Sequence, residues 1–190
     1  MRTADEVLNF WLDEIGPAGW YDSDDAVDAR IRELFLANWE DAREGGGGLW
    51  LITPRETLAY LVLTDQFSRN MFRGQPEAFA TDKSAHAATK QAIDREWDLK
   101  VPEPQRQFFY MPLIHSENLC DQDRGVRMIK DRMPDAPASQ LLHARAHRRI
   151  IRDFGRFPFR NEALGRKSTK AEETFLTEGG YGEIVRALQA

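Results

Sequence analysis

The sequence is nearly without cysteine. Cys120 stands alone among 190 residues, so no internal disulfide can form and a cysteine-based metal site is excluded. Such a chain suits a reducing cytoplasm. Long hydrophobic runs are also missing. The longest, Leu58 to Leu63, falls far short of a membrane span. The first residues include Arg2, Asp5 and Glu6 and show no signal-peptide core. Positive charge is not in excess either. A net charge of −5 argues against a general nucleic-acid binder and leaves room only for a local basic patch. No segment sustains the alternation of a half-buried strand, and no Asn-Gly or Asp-Gly hairpin signal occurs. The run Gly45 to Gly48 lacks the Lys-Ser/Thr of a phosphate-binding loop and reads as a flexible connector.

What is present is helical. Apolar residues make up 42% of the chain, with five Trp and eleven Phe, enough for an aromatic-rich core in one domain spanning 1–190. Thr3-Ala4-Asp5-Glu6, Thr53-Pro54-Arg55-Glu56 and Thr169-Lys170-Ala171-Glu172 are capping boxes, each the start of a helix. Gly16 to Gly19 is expected to stop the first helix. Val27, Ile31, Leu34, Phe35, Trp39 and Ala42 recur at three- and four-residue steps, a stripe that faces a core. Asp82 opens an alanine-rich helix. Pro112 predicts a kink or break. Ser139 is expected to cap a helix ended by Gly155, and the last ten residues to add one short turn. The expected class is all-α, with about seven to nine helices.

The stretch Leu63-Thr64-Asp65-Gln66-Phe67-Ser68-Arg69-Asn70-Met71-Phe72-Arg73-Gly74 sets charged groups among large apolar ones. Charge in such a frame costs free energy unless each group finds a partner. A similar mixture returns at Phe154-Gly155-Arg156-Phe157-Pro158-Phe159-Arg160-Asn161, and Leu-x-Asp-Gln occurs both at Leu63–Gln66 and at Leu119–Gln122. Arg69, Asn70 and Arg73, with Arg156, Arg160, Asn161 and Arg166, offer donors suited to a carboxylate or phosphate. Two such turns brought together would make one anion site. They can equally tie helix ends, with Arg69 and Arg73 pairing Asp65, Asp82 or Glu77.

Two further groups carry chemistry. His115-Ser116-Glu117, with Asp121 nearby, could supply a general acid or base oriented by a carboxylate, or a plain helix start capped by Ser116. No Gly-x-Ser-x-Gly elbow surrounds Ser116. His143 and His147 share a helical face, but without a His-Glu-x-x-His pattern no metal site and no cofactor is expected. Phe108-Phe109-Tyr110 reads as core.

These elements together resemble a bacterial family, domain of unknown function 924. The resemblance runs through Val7–Trp11, Thr53–Arg55, Asp65–Gly74, Phe108–Pro112, His115–Glu117, Asp121-Gln122, His147, Phe154–Pro158, Arg160-Asn161 and Leu164–Arg166. It implies antiparallel helical hairpins similar to tetratricopeptide-repeat proteins and no established activity. In that family a His commonly precedes the second Arg-Asn, where this chain has Phe159. Two functions stay open. One is binding of a small anion by Asp65, Arg69, Asn70, Arg73, His115, Glu117, Asp121, His147, Arg156, Arg160 and Asn161. The other is docking of a protein or peptide partner. No reaction is named by any motif.

Overall fold

Thr3 accepts from the backbone N–H of Glu6 while Glu6 reaches back to Thr3, and this closed box starts the first helix of a computed structural model that describes residues 1–189. Helical residues, 3-10 turns included, make up 73% of the chain; the α- and π-helical segments join into nine continuous runs among the described residues, and no strand is among them. Two compact units divide the chain, residues 1–112 and 113–190. The division falls at Pro112, inside a four-residue helix, so no linker marks it.

In the first unit, α1 (Ala4–Leu8) widens into a π-helical segment, Asn9–Ile15, and then the short α2 (Gly16–Gly19). The glycines therefore do not end the run at once. Gly16 turns it at a φ of 65°, and Pro17 begins another helical turn. Asp24 caps α3 (Asp25–Arg43) by accepting from the N–H groups of Ala26 and Val27. The expected stripe buries Ile31, Phe35, Trp39 and Ala42. The glycine run leads into a single 3-10 turn, Gly48–Leu51.

The element at the centre of this unit is α4 (Pro54–Leu61), continued by a π-helical segment, Val62–Phe67, and by α5 (Ser68–Met71). Thr53 caps it, although Glu56 bonds the Thr53 hydroxyl and so completes only half a capping box. Every residue from Thr57 to Asp65 is buried. A regular helix turns some of those residues to solvent. Here the wide turn is held by hydroxyls that bond back to carbonyls, Thr64 to Tyr60 at 2.7 Å and Ser68 to Thr64 at 3.0 Å. Phe67 ends up fully buried, with its ring centroid 5.0 Å from Phe35 and 5.4 Å from Trp11. Helix α6 (Asp82–Asp94) packs on α4 and buries the small side chains of Ala85, Ala88 and Ala92. Phe108, Phe109 and Tyr110 are buried as expected.

The short α7 (Met111–Ile114) carries Pro112 near its start, where proline is tolerated, and the chain breaks after it. Asn118, and not Ser116, caps α8 (Leu119–Arg132), because Asn118 Oδ1 is the atom that meets the N–H groups of Cys120 and Asp121. In the second unit, α8 and α9 (Ala138–Phe154) form the main packed pair. The cap expected at Ser139 is absent, since Pro137 sets the entry and the helix begins one residue earlier. Gly155 ends α9 in the left-handed conformation, as expected. The third capping box starts α10 (Lys170–Thr177). The expected short terminal turn is a ten-residue helix, α11 (Gly180–Gln189), packed on α9. Its residues Tyr181 and Ile184 join Phe154, Phe157, Phe175, Ile150 and Ile151 in the core of this unit, and that burial sustains a helix too short to persist alone.

Candidate functional site

The two Arg-Asn turns fall in different units, and each finds acids within its own. The wide turn after α4 places Asp65 inward, 3% exposed at its side chain. Arg69 bonds the Asp65 carbonyl at 2.8 Å and pairs with the carboxylates of Asp65 and Asp82 at 3.1 and 2.9 Å. Arg73 does not meet Glu77. It forks onto Asp28 of α3, and Asn70 donates to the same carboxylate at 2.7 Å. Gln66 donates to Asn70 Oδ1 at 2.9 Å. The donors of the first turn therefore tie α3, α5 and α6 together. Asp28 was missed in the sequence because nothing local links it to a residue 45 positions away.

The second turn is arranged differently. Arg156 forks onto Glu172 of α10 at 2.6 and 2.8 Å. That charge-assisted pair, with the N–H of Thr169, holds the Glu172 carboxyl down to about 2. Arg166 forks onto Glu117 at 2.7 and 3.0 Å, and donates to Asn161 Oδ1 at 2.9 Å and to the Phe157 carbonyl. Burial pushes Glu117 up, but the bonds from Arg166 and the Phe157 N–H, with the charges of Arg166 and Arg160, outweigh it and leave it lowered. Asn161 also donates to Ser168 at 3.1 Å. Both Arg156 and Arg166 are thus structural ties.

Arg160 packs against an aromatic ring. It is only 7% exposed, and its guanidinium lies over the Phe157 ring, 4.4 Å from the centroid. The His147 ring meets the same Phe157 edge-on at 5.5 Å, and lies 5.1 Å from Tyr181 and 6.2 Å from His115. His147 Nδ1 is 2.9 Å from the His143 carbonyl, which can only accept, so Nδ1 carries the hydrogen. Desolvation pulls His147 down to about 3, helped by the charges of His115, Arg160 and His143 and opposed only by that backbone bond. The imidazole is therefore neutral at ordinary pH, with Nε2 as an acceptor. His143 bonds the Tyr181 hydroxyl through Nδ1 at 2.6 Å and stacks on its ring.

His115 owes its position to Gln122. The buried carboxamide donates to the carbonyls of Ile114 and Ser116, at 2.5 and 2.7 Å, and so grips the chain on both sides of His115. Ser116 donates to Asp121 at 3.2 Å and accepts from the N–H of Asn118. Among the described residues, no three His, Cys, Asp or Glu side chains are placed to hold a metal ion. Nor is any helix long and apolar enough to cross a membrane.

The family model for "Bacterial protein of unknown function (DUF924)" matches residues 7–180. The chain belongs to this family. A solved structure of a protein of unknown function from Agrobacterium tumefaciens is 36% identical, with a TM-score of 0.86 over 93% of this chain and 97% of that one. No curated protein matches.

Within this DUF924 chain, His115, Glu117, His147, Phe157, Arg160, Asn161 and Arg166 fall in one neighbourhood of the second unit. Phe159 is 46% exposed and stacks on Phe157 at 5.2 Å, against the ring that bears both Arg160 and His147. Tyr181 lies on α11, where the local sequence predicts no more than a short turn. The sequence does not disclose the role of Gln122, although the Leu-x-Asp-Gln echo singles it out.

Proposed function

We propose that the second unit binds a small anionic ligand at the cluster of Arg160, His115 and His147. The observation that carries this reading is the setting of the His147 ring. Burial, first of all, and then Arg160 with the neighbouring imidazoles of His115 and His143, hold the His147 ring toward its neutral form. Glu117, the nearby acid, bonds Arg166 and the Phe157 N–H and also feels the charge of Arg160. Arg160 over the Phe157 ring and the acceptor nitrogen of His147 at the edge of the same ring would offer an anion a cation and a hydrogen-bond acceptor, on local grounds and not on the total charge of −5. The Arg and Asn side chains of the first turn, and Arg156, then serve stability.

Calorimetric titration with phosphate, sulfate, acetate and glycolate tests this. Binding of at least one anion is expected, with roughly tenfold or greater loss in Arg160→Gln. Arg73→Gln, in the other unit, should bind normally. No anion binding at millimolar concentration by the wild-type protein would overturn the reading. A melting curve for each variant separates lost binding from lost folding.

A second reading has one observation in its favour. In the first unit, Leu49, 78% exposed, lines a cavity of about 230 Å³ together with Ala42, Trp50, Tyr60 and Leu63, with Arg2 and Asp41 also on its wall. Apolar side chains of a peptide partner would fit there. Under this reading, Leu49→Ser lowers affinity for a partner and leaves anion binding alone.

A further inference from the structure

We propose that the anion held at this cluster is one that itself carries an O–H hydrogen, such as a hydrogen phosphate group or a hydroxy acid, and that Nε2 of His147 accepts that hydrogen. This rests on the reading of the cluster as an anion site and adds what kind of anion it selects.

The argument starts from the tautomer. A carbonyl oxygen cannot donate, so the 2.9 Å contact to the His143 carbonyl puts the hydrogen on Nδ1 of His147. Nε2 then offers a lone pair. The contact is made within one helix turn of α9, so it persists as long as the helix does. The ring cannot turn over to exchange its two nitrogens without losing this bond and its edge-on packing against Phe157. Burial, Arg160 and the imidazoles of His115 and His143 discourage a second proton, and only the His143 carbonyl bond favours one. His115 faces the ring from the turn before α8, His143 from α9 itself, Tyr181 from α11, and Arg160 from the second turn. An anion lacking a donor would place its oxygen lone pairs against the lone pair of Nε2. To bind well it would have to bring a proton to a ring that resists one. An anion with its own O–H meets the cations with its charge and Nε2 with its hydrogen. A site built to pair with an O–H rejects the analogue lacking it far more strongly than a size mismatch would.

Two pairs of probes differ in little but that hydrogen: phosphate against sulfate, and glycolate against acetate. Titrations on the whole chain at pH 7 should show phosphate favoured over sulfate by at least about 100-fold, or glycolate over acetate by a similar factor. His147→Asn keeps a donor near the Nδ1 position and removes the acceptor. It should bring the two members of the favoured pair within about threefold of each other, mostly by weakening the favoured one. Nitrogen-15 spectra of the His147 ring report the tautomer directly. They should show protonated Nδ1 before and after phosphate is added, with the Nε2 signal moving on binding. Equal affinity within both pairs, or a ring doubly protonated in the complex, would overturn this inference and leave the anion site standing. If none of the four probes binds, the anion site itself fails and this inference with it.

Discussion

At the residue scale, the buried ionisable groups divide into those that hold the fold and those that face the cluster. Arg69 is the clearest of the first kind. Arg69→Ala would leave the Asp65 carboxylate buried at 3% exposure without its guanidinium, and Asp82 with it. The expected cost is on the order of 3–5 kcal/mol, read as a lower midpoint in urea. His147 belongs to the second kind and gives a pH signature. Its value in the folded protein, about 3, lies below the ordinary 6.5. Between those limits the unfolded chain binds more protons than the folded one, so stability rises with pH across the window and is lost as pH falls from about 6.5 toward 3. Wild type should therefore lose about 2–3 kcal/mol more than His147→Asn between pH 7 and pH 4.5. Glu172, also lowered, adds its loss only below about 4.5, so the two residues separate by pH. Parallel urea curves for the two proteins at both pH values would contradict this assignment.

At the element scale, α8 shows how closely two helices can be brought. A Cβ on Gly125 would stand 2.5 Å from Ile114 Cδ1 and 3.2 Å from Leu113 Cβ. Alanine at an exposed helix position would gain about 1 kcal/mol over glycine. Here overpacking costs about 1–3 kcal/mol, and it pushes on the segment that carries His115. Gly125→Ala should therefore lower stability by roughly 1 kcal/mol and weaken anion binding as well. If the substitution stabilised the protein, the α7–α8 approach described above would be wrong. The two π-helical segments belong to this scale too. They were invisible in the sequence because a π turn keeps helical dihedrals and helical residue types. It differs only in where one hydrogen bond is made, and tertiary packing decides that. The extra width is what turns Asp65 and Phe67 inward together.

At the scale of the whole molecule, much of the fold class was legible. Helical spacing, the caps at Thr3, Thr53 and Thr169 and the lack of alternating stretches all pointed to an all-α chain, and 73% helix agrees. A far-ultraviolet circular dichroism spectrum should show deep minima near 208 and 222 nm, which are wavelengths characteristic of any α-helical protein. With one cysteine in the chain, and no three-ligand cluster among the described residues, EDTA should leave the melting temperature within about 1 °C of the untreated protein, because only a ligand bound to the native state raises it. A marked fall in melting temperature would reveal a metal that these residues do not account for.

By itself the sequence determined what depends on near neighbours: where helices start, which face of α3 is buried, that Gly155 ends α9, and that charge sits among aromatics at two turns. Such features act over three or four residues, within reach of a linear pattern. Only the tertiary structure decided which acid each arginine meets. Arg73 reaches back 45 positions to Asp28, and Arg166 reaches 49 positions to Glu117. It also decided that Arg160 and His147 share the Phe157 ring, and that α11 exists at full length. Those outcomes follow from packing between elements distant in the chain. Many alternative pairings of like residues satisfy the same local pattern, and burial selects among them.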